Sequence, residues 1–201
     1  MELHRIGVKL FVDGGAETPL TDYIPVFHRW IQERRLEDLL VDVVDYSHVH
    51  HGPGILLVAH EGNYAMDEGA GRRGLSYYGK HTLQGSLSER LAAVCRKALA
   101  ACRLLEQETG PAQTRFERAG LEIFANDRLA APNTEATHSA LRPALEELTA
   151  KLYSGANCAY AREPDEAERF SVRIRCDQSP SIEEMLERLV TSRKSRLARS
   201  L

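Results

Sequence analysis

No stretch of this 201-residue chain approaches the roughly 20 apolar residues that a membrane-crossing helix needs. The start, Met1-Glu2-Leu3-His4-Arg5, lacks the long apolar run of a secretory leader, so a cytoplasmic location is expected. The four cysteines, Cys95, Cys102, Cys158 and Cys176, form no Cys-x-x-Cys pair. That spacing gives no support to zinc-ribbon or thioredoxin-like readings and predicts packed, reduced thiols. Charge of one sign is missing too: 26 basic and 29 acidic residues leave a formal −3. Such a balance gives no global drive toward nucleic acid or anionic membranes, although local patches can still form. Ser76 and Ser86 lie in glycine-flanked stretches, yet neither completes Gly-x-Ser-x-Gly, which excludes the hydrolase elbow.

What remains is an ordinary globular composition, 43% hydrophobic and 27% charged, in a chain long enough to bury a substantial core. Ile6, Val8, Leu10 and Val12 alternate with Arg5, Gly7, Lys9 and Phe11, the period of a half-buried strand. A helix is expected from Thr21 or Asp22 to Arg35, with Pro25 tolerated in its first turn. Leu39–His50 and Ile55–His60 read as strands around Gly52-Pro53-Gly54. A further hairpin is expected across the glycine-rich loop between Tyr64 and Tyr78. Ser86 and Glu89 have the spacing of a capping box before a long helix that Gly110-Pro111 stops. Beyond it come a strand within 115–126, a helix carrying Pro143 and strands at 156–162 and 169–176. A last helix opens at Ser181 and Glu184, again with capping-box spacing.

The order strand, helix, two strands, helix thus occurs twice. Residues 1–110 form a first βαββα-like half, with an extra hairpin, and residues 111–201 a second. The expected fold is α+β: tandem duplicated halves, integrated into one domain, sharing a mostly antiparallel sheet with helices on one face. In this alignment the hairpin of Val41–Val44 and Ile55–His60 corresponds to Cys158–Ala161 and Ser171–Cys176. Paired halves of this kind commonly place a ligand cleft at their junction.

Chemistry concentrates in one stretch. His48, His50, His51 and His60 fall within thirteen residues, and imidazole both binds metals and exchanges protons near neutrality. On an extended strand Tyr46, His48 and His50 share a face, successive ones about 7 Å apart. His48 and His50, with His60, Asp45 or Glu61, would then suit a divalent transition metal. The stretch completes no established pattern: His60-Glu61-Gly62-Asn63-Tyr64 has Tyr64 where a zincin needs histidine.

Gly69-Ala70-Gly71-Arg72-Arg73-Gly74 formally matches Gly-x-Gly-x-x-Gly. It leads into the β-prone Leu75-Ser76-Tyr77-Tyr78 rather than a helix, which defeats a dinucleotide reading. It reads as a hairpin tip whose Arg72 and Arg73 are usually solvated but can close over an anion. A basic sheet face of Arg169, Arg173 and Arg175, joined by Arg5 and Lys9, has Phe11 as its one good aromatic. Nucleic acid is therefore not an expected partner. The leading reading is a non-catalytic ligand-binding or assembly protein. Its contacts would come from Tyr46, His48, His50, His60, Tyr64, Arg72 and Arg73, or it would self-associate through the apolar Ile55–Ala59. A metal-dependent enzyme or metal sensor centred on His48 and His50 is the alternative, and an RNA-binding sheet the third.

Overall fold

The central strand is the first one. In the computed structural model, which describes residues 3, 5–14 and 18–197, β1 (Ile6–Phe11) pairs with strands from both halves of the chain. Ile6, Val8 and Leu10 enter the core beneath the helices, while Gly7, Lys9 and Phe11 take the opposite face. From there the chain runs through α1 (Tyr23–Glu33), β2 (Leu40–Tyr46), β3 (Gly54–Ala59), β4 (Gly62–Asp67), β5 (Gly74–Gly79) and α2 (Leu87–Gln107). It continues through β6 (Gly120–Ala125), α3 (Glu135–Leu152), β7 (Cys158–Arg162), β8 (Ser171–Cys176) and α4 (Ile182–Leu197).

The eight strands form one sheet in the order β2-β3-β4-β5-β1-β6-β8-β7, and every neighbouring pair is antiparallel. The α+β class is as expected. Hairpin positions differ from the sequence alignment: β4–β5 lies beside β1 as β7–β8 lies beside β6, and β2–β3 extends the first side outward. Local signals held where they were chemically specific. Both capping boxes form: Ser86 with Glu89, and Ser181 Oγ accepting from the Glu184 amide at 3.2 Å while Glu184 accepts from the Ser181 amide at 2.7 Å. The two hydrogen bonds from Ser181 hold the Glu184 carboxyl below its usual range. Pro143 sits inside α3 without ending it.

Two expectations are corrected. The second strand stops at Tyr46, because Asp45 Oδ1 accepts from the Ser47 amide at 2.8 Å and the Ser47 hydroxyl at 2.6 Å. That side-chain bonding satisfies the backbone locally and starts a turn. Nor are all four thiols reduced. Cys158 and Cys176 face each other across β7 and β8 and form a disulfide, whereas Cys95 and Cys102 are free and fully buried. Burial pushes the Cys95 thiol up to about 12, so it behaves as an inert apolar group. Among the described residues no helix is long and apolar enough to cross a membrane.

Candidate functional site

The histidines do not converge. His48, His50 and His51 are exposed on the turn after β2, where the rings of His50 and His51 lie 3.9 Å apart. His60 follows β3, and its amide bonds the Leu39 carbonyl at 2.9 Å, at the far end of the same hairpin. Six residues of strand separate these ends by about 17 Å. His60 instead neighbours Glu61, at 3.1 Å, and His81, at 6.0 Å between ring centroids. Among the described residues no group of three or more His, Cys, Asp or Glu is placed to hold a metal ion. The expected divalent transition metal on His48, His50, His60, Asp45 and Glu61 is therefore withdrawn.

Tyr64 belongs to the other side of the sheet. It is buried under the helices and donates to Asp38 Oδ2 at 2.5 Å, while Lys97 from α2 binds Asp38 Oδ1. Burial, with the Asp38 carboxylate beside it, raises the Tyr64 phenol far above its ordinary range. Tyr46, partly exposed at the end of β2, stays with the turn histidines.

The glycine loop between β4 and β5 is held, not loose. Lys9, 2% exposed, sends its ammonium to Asp67 Oδ1 at 2.6 Å, to the Arg72 carbonyl at 2.8 Å and to the Gly69 carbonyl at 3.3 Å. Asp67 also accepts from the Gly69 amide at 2.8 Å and the Ser76 hydroxyl at 3.0 Å. A buried charge is tolerable only with such full pairing. Both arginines are thereby placed. Arg73 is tied to Glu68 and to the Thr18 carbonyl, and Arg72 stacks 4.0 Å above the Phe11 ring and pairs with Glu117.

Next to this loop, at the seam between β1 and the second half, lies a cleft of about 640 Å³. Its wall is built by a short antiparallel continuation of β1: the Asp13 amide bonds the Arg115 carbonyl at 2.9 Å and the Glu117 amide the Phe11 carbonyl at 2.8 Å. Val12 bridges Phe116 there. Phe116 turns into the core, so the two-residue period sends Arg115 and Glu117 to its other side. Arg173 and Arg175 project from the exposed face of β8. Among the described residues, five arginines (72, 115, 118, 173 and 175) thus line the cleft against two carboxylates, Asp13 and Glu117.

Three of the five have acidic neighbours: Arg72 has Glu117, Arg118 has Glu106 at 3.7 Å and Arg173 has Glu122 at 3.8 Å. Arg115 and Arg175 have no carboxylate within 4 Å among the described residues. In a chain of net charge −3 this is a local concentration of positive charge on the face of the sheet away from the helices. Arg173 and Arg175 were legible as an alternating basic face. Arg115 and Arg118 were missed, since two arginines in a loop carry no signal until the fold brings them to β8.

Compared with known protein families and with curated proteins, the chain matches none of either.

Proposed function

We propose that this chain is a non-catalytic ligand-binding protein and that its ligand is an anion held in the arginine-lined cleft. The observation that carries this is the convergence of five guanidinium groups, two of them without an acidic partner among the described residues, on one concave site. Arginine stays protonated and presents a planar fork that matches carboxylate and phosphate oxygens. It cannot relay protons at neutral pH, and the lining holds no histidine, lysine or tyrosine among the described residues. Its one sulfur, Cys176, is tied up in the disulfide. Such a lining recognises charge and lacks an obvious acid–base pair.

The reading places the site at the junction of two duplicated halves joined near Gly110-Pro111, which we infer form one domain. Supporting that inference, the order β4-β5-β1-β6-β8-β7 is balanced about the β1–β6 pair. Arg72, one of the loop arginines, contributes from the first half, and Arg115 and Arg175 from the second.

Titration calorimetry with inorganic phosphate and pyrophosphate tests the proposal. Wild type is expected to bind, more weakly as salt rises, and the double variant Arg115→Ala/Arg175→Ala to bind at least about tenfold less tightly with its fold intact, a loss of about 1.4 kcal/mol or more. Equal affinity in that variant would remove the cleft assignment. A single-stranded RNA oligonucleotide that bound while phosphates did not would favour the sheet-face RNA reading instead.

A second reading, self-association, has one observation behind it. The Ile55–Ala59 segment is not itself the exposed surface: Ile55, Leu57 and Ala59 are fully buried, and β2 covers its outer edge. Edge strand β2 does expose Val41 at 59%, with Leu39 beside it at 70%. On this reading light scattering finds a wild-type dimer and a monomeric Val41→Asp variant. A monomer at about 100 µM wild type, well above ordinary micromolar dissociation constants, would discard it.

A further inference from the structure

The cleft does not end at Arg72. A second cavity of about 510 Å³ lies on the other side of that residue, and Arg72 and Glu117 line both. Their ion pair is thus the partition between the two spaces. Arg72 is fixed from two directions, by its stack on Phe11 and by the bond from Lys9 to its own carbonyl. Glu117 is held through its amide and through Arg72 itself; both side chains are about a third exposed, and only that of Arg72 has a ring to stack on. Of the two partners, the carboxylate is the one free to swing away.

We propose that Glu117 stands in for the ligand at Arg72, and that the ligand is an extended oxyanion with at least two phosphate-like groups that takes its place. This rests on the anion-binding reading of the cleft. One terminal group meets Arg115 and Arg175, which have no carboxylate partner to release among the described residues. The next group reaches Arg72, whose planar fork accepts phosphate oxygens in the geometry it offers Glu117. Displacing the carboxylate joins the two cavities and gives a chain-like anion room that a single phosphate does not fill. A like charge left in place opposes the incoming ligand, so Glu117 also sets the affinity. Beyond the partition the second cavity carries Arg73 with Glu68, a pair already matched in charge.

The experiment is calorimetry of orthophosphate and tripolyphosphate on wild type, Glu117→Gln, Glu117→Ala and Glu117→Gln/Arg72→Ala, with thermal unfolding as a control of folding. Removing the carboxylate is expected to tighten tripolyphosphate about tenfold, the scale of one unit charge at a partly screened site. Orthophosphate affinity is expected to stay within about threefold, less than 1 kcal/mol. The double variant is expected to lose the gain, because no guanidinium is left to be freed. If wild type binds tripolyphosphate and neither Glu117 variant binds it more tightly, the stand-in role is wrong while the cleft reading survives. If both anions tighten equally, Glu117 acts only as a distant charge and the exchange is wrong. Absence of binding by every variant overturns both proposals.

Discussion

Replacing Asp38 by alanine is expected to destabilise the protein by about 3–5 kcal/mol, the cost of removing one partner from a buried ion pair. The carboxylate is 2% exposed and receives both the Lys97 ammonium and the Tyr64 hydroxyl. Alanine would leave the phenol without its acceptor beneath the helices and the ammonium, 16% exposed, without a counter-charge. Lys97 can lean toward solvent, which places the loss nearer the lower bound. Asparagine separates the two contributions, since it keeps an acceptor for Tyr64 and removes the charge. It should recover part of the loss. Urea unfolding measures both through the midpoint at constant slope. A loss below about 1 kcal/mol for alanine would mean that the three groups are not coupled as described.

Trp30→Ala is expected to cost a similar amount, about 3–5 kcal/mol, through a different mechanism. The indole is fully buried, packs against Phe27 at 5.3 Å between centroids, and donates from Nε1 to Glu108 Oε1 at 3.0 Å. Glu108 is the residue that ends α2 and also takes the Arg29 guanidinium. Trp30 therefore ties α1 to the end of the longest helix, and alanine opens a cavity and removes one bond to that carboxylate. Trp30→Phe keeps most of the ring and should cost about half as much, chiefly through the lost N–H. Were phenylalanine as damaging as alanine, the Glu108 bond rather than packing would dominate.

The sequence declared its elements more clearly than their arrangement. Alternation in β1, two capping boxes and glycine-bounded hairpins are local, so the chain alone reveals them. Strand order is not local. The sequence alignment set Val41–Val44 and Ile55–His60 against β7–β8, whereas in the sheet β5 is the strand beside β1 and β8 the strand beside β6. Gly7 shows the difficulty at a single residue. In a strand pattern it looks merely permissive, yet a Cβ there would overlap the ring of Phe124, which crosses it from β6 under Arg169. The histidine cluster misled for the opposite reason. Its spacing assumed an extended backbone, and the Asp45–Ser47 turn removed that premise. The cleft is assembled from residues 72, 115, 118, 173 and 175, on segments that meet only after the sheet has closed.

Placing the first strand at the middle of the sheet also sets the order of events during synthesis. One edge of β1 can be covered by β5 as soon as that hairpin is made, but the other waits for β6, where Lys9 meets Glu122. At ribosomal rates of about 5–20 residues per second, that edge stays open on the order of ten seconds. During this interval the nascent first half presents unpaired backbone to neighbouring chains, the condition under which strands recruit foreign chains. The late-arriving half thus covers the open edge of the first strand as well as forming one wall of the cleft.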